Sequence, residues 1–422
     1  LSFGSDDIFG FLDPNETAER GELDIGIGRY AVYQTDQADQ LIRHEQAYHT
    51  LANWGAWLTH AVMLADDEDG LAYMRGSDSM AVRIENERKD ITIRRLYVDA
   101  FRQDNSWGKA HYSAVNKELN QTMNKGAYLL NYVGHGSTYR LGHEYFFTFD
   151  DAASWRNLRT LPVLVAASCF FASADWEGDF PLGQSMLFMP QGGSIALIAA
   201  SRLTFNYSNQ VFNAHLLRAI FPKTESAQNR ALGDALRIAK NKTPGSENRS
   251  KYLLLGNPAL PLPNFTASAK LSTWNERALG GIHDTLRAGE PLTLGIEVKH
   301  ADGTPFTGEL NLQLFGPKRK VRTQDNDGEG VFEFEERVNT VFRGKATVAN
   351  GQAMVKLIVP TDMELDYGAG LVSLLATSND ALASGGYDSF LVGGRTAKSS
   401  DDTEGPEMEI SWNDYAQRPQ AV

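Results

Sequence analysis

Two short runs carry residue types suited to nucleophilic catalysis. In Leu129-Leu-Asn-Tyr-Val-Gly-His-Gly-Ser, His135 stands between two glycines just past an apolar stretch. In Pro162-Val-Leu-Val-Ala-Ala-Ser-Cys-Phe-Phe, the chain's single cysteine, Cys169, occupies the same relative place. Glycines let a chain turn sharply and bring backbone N–H groups close to a ligand. An imidazole there can take a thiol proton and later return it to a leaving amine, and a neighbouring imidazolium favours the reactive thiolate. The backbone N–H groups of Gly136 and Cys169 are the candidate donors to a tetrahedral oxyanion. A third run, Ala61-Val-Met-Leu-Ala-Asp-Asp-Glu-Asp-Gly, opens into four acidic residues, Asp66 to Asp69. One of these carboxylates would orient the base histidine as the third member of a triad. Glu68 is the first choice and Asp67 the second. Glu144 is a further candidate for orientation or substrate contact, and His143 is expected simply to face solvent.

Each feature has a plainer alternative. Free cysteine is among the most buried residue types, and Gly-His-Gly alone is a weak motif. The pairing of the two at strand ends is what favours chemistry, and the order His before Cys is the caspase-like one. The acidic run also reads as a solvated or calcium-binding loop, although its spacing is not that of an EF-hand. Asp325-Asn-Asp-Gly-Glu-Gly reads as a tight hairpin turn, with calcium binding as the alternative. Lys318-Arg-Lys reads as a charged strand face. One thiol closes no internal disulfide and builds no multi-cysteine zinc site. No metal or cofactor is therefore expected in the chemistry, and a structural calcium remains open.

The elements that must position these residues alternate along the first part of the chain. Strands are expected at Leu23–Val32, Ala61–Ala65, Arg94–Val98, Tyr128–Val133, Leu161–Ala167 and Ser194–Ala199. Helices are expected over Asp36–Leu51, Lys109–Met123, Ser208–Ile220 and Ala227–Lys240, the last with a clear apolar stripe. Strands apolar on both faces belong in the middle of a helix-covered parallel sheet, and active sites in such sheets lie beyond the carboxyl ends of the strands. After Leu254-Leu-Gly-Asn-Pro-Ala-Leu-Pro-Leu-Pro the texture changes to short alternating runs punctuated by turns, as in an antiparallel β-sandwich. The expected division is an α/β domain at 1–265 and a β-sandwich at 266–398. Residues 399–422 read as a linker or the start of a further β-domain.

Composition sets the outer limits. The chain has 422 residues and a formal net charge of −13, which argues against a nucleic-acid-binding surface, since phosphate contacts need clustered positive charge. No apolar run reaches the roughly 18 residues of a membrane helix. The start, Leu1-Ser-Phe-Gly, carries neither Met nor a signal-peptide core and reads as a piece of a longer protein.

Several blocks together resemble the gingipain family of cysteine peptidases. They are Ile27-Gly-Arg-Tyr-Ala-Val, Tyr132-Val-Gly-His-Gly-Ser, Val165-Ala-Ala-Ser-Cys, Gly192-Gly-Ser-Ile-Ala-Leu-Ile-Ala-Ala-Ser-Arg and Leu254-Leu-Gly-Asn-Pro-Ala-Leu. Phe9-Gly-Phe-Leu-Asp, Leu64-Ala-Asp-Asp-Glu-Asp-Gly, Tyr97-Val-Asp-Ala-Phe, Phe342-Arg-Gly-Lys-Ala-Thr-Val-Ala-Asn-Gly and Ile358-Val-Pro-Thr-Asp-Met are similar to its PorU-type branch, the sortases of the type IX secretion system. The resemblance implies a caspase-like (gingipain-like) α/β peptidase domain with a mostly parallel sheet, followed by an immunoglobulin-like β-sandwich, and a further subdomain upstream of residue 1. It implies Cys169 as nucleophile, His135 as general base and Glu68 or Asp67 as the acidic member. The implied activity removes the C-terminal signal domain of exported cargo proteins and joins the new carboxyl end to anionic lipopolysaccharide. It takes place on the cell-surface side of the bacterial outer membrane, in a complex with the PorV β-barrel, PorQ and PorZ. A secreted protease that only hydrolyses, a catalytically silent scaffold subunit and a calcium-dependent adhesin are the rival readings.

Overall fold

In the computed structural model the described residues are 3–396, apart from 18–19, 106–107, 176–177, 179, 224–229, 264 and 362–366. The expectation for 399–422 falls outside them. Six strands form the first sheet: β1 (His60–Ala65), β2 (Thr92–Tyr97), β3 (Leu129–Val133), β4 (Val163–Ala167), β5 (Ala196–Ala200) and β6 (Tyr252–Leu255). Their order is β2-β1-β3-β4-β5-β6, parallel throughout except for the antiparallel β6. Alternation along each strand splits its side chains between two cores. Ala61, Met63 and Ala65 of β1 enter one apolar cluster, Val62 and Leu64 the other. This is why the strands read as apolar on both faces.

Helices cover both faces. They are α1 (Thr35–His49), α2 (Ala72–Glu87), α3 (Ser113–Lys125), α4 (Phe149–Ser154), α5 (Leu182–Ser185), α6 (Asn206–Ile220) and α7 (Leu232–Lys242). Val115, Leu119 and Met123 of α3 form a stripe at helical spacing against one face. Residues of α2, α6 and α7 close the other. Two expectations are corrected. The stretch Leu23–Val32 makes only an isolated parallel bridge, Arg29 to Leu255, and is no strand. The helix α2 was not expected from the sequence, yet Tyr73, Met74, Ser77, Met80, Ala81 and Ile84 bury one face of it.

The second part is β-rich, from β7 (Ala267–Trp274) and β8 (Arg277–Ala278) through β9 (Thr285–Ala288), β10 (Pro291–His300), β11 (Gly308–Phe315), β12 (Arg319–Arg322), β13 (Glu333–Glu336), β14 (Thr340–Val348) and β15 (Gln352–Ile358) to β16 (Gly368–Ala369), β17 (Leu371–Thr377), β18 (Leu382–Tyr387) and β19 (Leu391–Arg395). The main sheet runs β14-β11-β17-β18-β7-β10-β15, and β18 and β7 join through only two residue pairs. On either side of that join, Leu310, Leu312 and Leu374 face Leu294, Ile296 and Val298 across one core. The domain is a β-sandwich.

The two parts share an interface. Phe334, Leu375 and Leu382 of the β-domain enter a core cluster of the first domain, and Phe334 packs edge-on against Tyr97 at 4.7 Å. Buried Glu336 pairs with Arg94 at 2.5 Å and accepts the Arg95 backbone N–H at 2.6 Å. The expected tight turn at Asp325 is instead the tip of a longer connection between β12 and β13. It docks on the strand ends of the first domain, where Asp99 accepts the backbone N–H groups of Asp325 and Asn326 at 2.9 and 2.8 Å. Polar backbone satisfied across an interface fixes such a connection in place. No helix among the described residues is long and apolar enough to cross a membrane.

Candidate active site

Strand register sets the level of the candidate residues. Ala65, Val133 and Ala167 are cross-strand neighbours at the carboxyl ends of β1, β3 and β4. Glu68, His135 and Cys169 follow those three residues within one turn, so they emerge side by side beyond one sheet edge. Gly136 tightens the approach. A Cβ built there would lie 2.7 Å from Ser168 Oγ and 3.2 Å from the Cys169 carbonyl oxygen, so the histidine turn packs directly on the cysteine turn. Phe170, just after Cys169, holds a left-handed φ of 58°, a conformation that bulky residues adopt only where the surroundings impose it.

The acidic run is divided between two environments. Glu68 Oε2 lies 2.9 Å from His135 Nε2, and Glu68 Oε1 lies 2.8 Å from His143 Nδ1. The two imidazoles stack at 4.6 Å with planes 15° apart. A carboxylate on Nε2 fixes the tautomer with its proton there, which leaves the lone pair of Nδ1 as the basic site. Asp67, the alternative partner, turns the other way: it is buried and accepts the Tyr112 hydroxyl. Burial pushes its carboxyl up to about 7. Asp66 is buried too and accepts the His135 backbone N–H at 2.8 Å. Burial, then the adjacent Asp67 charge, raises its carboxyl well above the usual range. Asp69, at the rim, is held below its ordinary value by the Tyr73 hydroxyl. Tyr73 itself meets His135 edge-on, its hydroxyl 3.4 Å from Nε2.

Cys169 is half-buried and its sulfur is aimed by Thr204. The Thr204 backbone N–H donates to Sγ at 3.3 Å, and Thr204 Oγ1 lies 3.6 Å from it. That hydroxyl accepts from Asn209 at 2.8 Å, which directs its own proton away from Asn209. Among the described residues the thiol's hydrogen bonds go to Thr204 and none to His135, so the expected thiol–imidazole contact is not preformed. Also among the described residues, the backbone N–H groups of Gly136 and Cys169 have no acceptor. A basic ring nitrogen, a thiol and two unpaired amide donors at one edge are the parts that acyl transfer requires.

Sequence reasoning missed three participants. His143, expected to face solvent, is mostly exposed but shares Glu68 with His135. Tyr73 lay in an unexpected helix. Thr204 carries no motif, and only its place after β5 brings it to the sulfur. Glu144, a candidate for substrate contact, is buried beside Asp66 and Asp67, with its Oε2 unpaired.

Residues 2–263 match Peptidase family C25. Among curated proteins none matches the chain. The structure is similar to that of the Arg-specific cysteine proteinase gingipain R, with 16% identity, 93% of this chain and 79% of that one covered, and a TM-score of 0.53. It is similar also to a complex of the pro- and mature domains of Porphyromonas gingivalis RgpB, with 16% identity, coverages of 92% and 80%, and a TM-score of 0.52. Dimeric latent PorU from Porphyromonas gingivalis aligns at 18% identity over 98% of this chain and 34% of its own, with a TM-score of 0.35, too loose to argue from. With its mostly parallel sheet and the family match over more than half its length, the chain belongs to peptidase family C25, the gingipain family of cysteine peptidases.

Proposed function

We propose that this chain is a sortase-type cysteine endopeptidase, with Cys169 as nucleophile, His135 as general base and Glu68 as the carboxylate that orients it. The observation that carries the catalytic part is the Glu68–His135 pair, level with Cys169, with Gly136 packed on the Cys169 turn. Rotation of the thiol from Thr204 toward His135 Nδ1 lets the ring take its proton as Sγ attacks a peptide carbonyl. The resulting oxyanion is met by the N–H groups of Gly136 and Cys169. Collapse breaks the C–N bond, His135 gives its proton to the leaving amine, and a thioester remains on Cys169. An incoming amine then attacks the thioester while His135 takes its proton, forming a new amide and releasing the thiol. No metal enters these steps.

The finer assignment rests on the sequence likeness to PorU-type sortases. In that reading the substrates are cargo proteins with C-terminal signal domains, and the amine belongs to anionic lipopolysaccharide. The setting is the outer face of the bacterial outer membrane, with PorV, PorQ and PorZ as partners. A second reading, hydrolysis alone, is favoured by the partial exposure of Cys169, which admits water. One assay separates them: a cargo fragment carrying its signal domain is cleaved in the presence of an amino-sugar acceptor and the product weighed by mass spectrometry. Product joined to the amine supports the sortase, and free carboxylate alone overturns it in favour of hydrolysis.

A further inference from the structure

Glu68 serves two histidines, and the acyl-transfer steps above use only one of them. Its Oε2 lies 2.9 Å from His135 Nε2, and its Oε1 lies 2.8 Å from His143 Nδ1. The loop that carries His143 is tied to the histidine turn by its backbone. The Gly142 N–H donates to the His135 carbonyl at 2.9 Å, and Leu141 bridges both Gly136 and Phe147. Gly142 holds a left-handed φ of 70°, and a Cβ there would stand 2.1 Å from the Phe146 ring, so this return of the loop requires glycine. The result is a stack of two imidazoles at 4.6 Å with planes 15° apart.

The carboxylate on Nδ1 fixes the His143 proton there and leaves Nε2 as a second basic nitrogen. The His143 side chain is 56% exposed, and no protein group among the described residues takes that nitrogen. The site therefore offers His135 Nδ1 and, on the neighbouring ring, His143 Nε2. Peptide cleavage and hydrolysis pass one proton at a time and need only the first. An amine acceptor differs, because alkylamines are largely protonated near neutral pH and an ammonium has no lone pair with which to attack. It must lose one proton to become a nucleophile and a second as the new C–N bond forms.

We infer that His143 Nε2 is a second base, which takes the ammonium proton of an amine acceptor while His135 keeps its role at Cys169. The inference rests on the sortase reading above and names the residue that favours amine over water. The acceptor ammonium gives a proton to His143 Nε2 and becomes a free amine. Glu68 balances the imidazolium, which is exposed and passes its proton to water. The amine nitrogen then attacks the thioester carbonyl, and His135 Nδ1 takes the second proton as the C–N bond forms. Collapse breaks the C–S bond, and His135 returns that proton to the departing thiolate. The products are an amide, the Cys169 thiol and one proton released to solvent. Glu68 carries a single negative charge shared by both rings, so the two transfers come in succession.

The test follows the fate of the thioester. A cargo fragment carrying its signal domain is cleaved in the presence of glucosamine, and amide and free carboxylate are quantified by mass spectrometry. Their ratio reads only how the thioester is resolved, whatever a substitution does to its formation. His143→Asn keeps an N–H where Nδ1 donates to Glu68 but has no basic nitrogen, so it separates proton transfer from positioning. The amide-to-carboxylate ratio should fall at least tenfold, and His143→Gln should lower it alike. With hydroxylamine, an acceptor largely unprotonated at neutral pH, the ratio for His143→Asn should stay within threefold of the parent's. An unchanged ratio with glucosamine overturns the inference, and so does an equal fall with both amines, which would make His143 a residue that only holds the acceptor. Loss of cleavage by His143→Asn with a parent-like thermal melt overturns it too, by placing His143 in the first half of the reaction. A parent chain that gives free carboxylate alone with both amines overturns the sortase reading and this inference with it. Amide formed by the parent keeps that reading and leaves the variants to decide on His143.

Discussion

The two ends of β1 both meet the β-domain, and they use polar residues in opposite ways. At the amino end, the Gln313 amide N–H donates to His60 Nε2 at 2.9 Å. Gln313 Oε1 accepts from Arg343 at 3.2 Å, which fixes the amide's orientation and requires a neutral imidazole. That end is satisfied and does nothing further. At the carboxyl end, Asp66 to Asp69 fan out in a turn where some oxygens are spoken for and others are left bare. Polar groups with complete partners hold structure. Groups with open valences are where substrate, proton or ion can enter.

The comparison can be broken most severely by removing the thiol. Cys169→Ala should lower peptide cleavage by roughly 10⁴-fold or more, while a thermal melt stays close to that of the parent chain, since the residue is only half-buried. An equal loss of folding would mean that Cys169 belongs with the structural end. A smaller effect divides the acidic run itself. Glu68→Gln should reduce kcat on the order of 10²-fold. Asp67→Asn, turned away from His135, should cost roughly tenfold or less. Steady-state kinetics that rank the two the other way would move the orienting role to Asp67.

The smallest effect tests the satisfied end. Burial, followed by the Arg343 charge, lowers the His60 imidazole to about 4. The unfolded chain takes up this proton as pH falls through about 6.5, but the folded chain does not until about 4. Stability is therefore complete above 6.5 and declines as pH falls toward 4. The ring keeps some solvent contact, and with that allowed for, the loss is about 2 kcal/mol. Denaturant titrations at pH 7 and pH 4.5 should show it, and His60→Gln should flatten that part of the profile. An unchanged profile would remove His60 from the interface argument.

Much of the candidate site could be read in the chain because its residues stand at local features. The apolar runs that end in Gly134-His-Gly136 and Ser168-Cys169 became β3 and β4, adjacent and parallel as their two-sided hydrophobicity requires. Glu68 could be preferred to Asp67 but not separated from it, since neighbours in a turn differ only in where the turn points them. The helix α2 escaped notice because Ser77 breaks its apolar stripe, and Gly76 and Ser79 beside it are weak helix formers. Thr204 and His143 escaped because their roles depend on what folds beside them.

What the sequence determined by itself was the set of elements: apolar periodicity specifies which segments become central strands and helices, and glycine placement specifies which strand ends can turn sharply. Only the tertiary structure decided partners. It sent Glu68 to two histidines and Asp67 to Tyr112, turned the thiol to Thr204, and carried the Asp327 loop across the domain interface to the end of β1. Those outcomes depend on residues far apart in the chain arriving within hydrogen-bond distance, and burial and packing, not local propensity, select which of them meet.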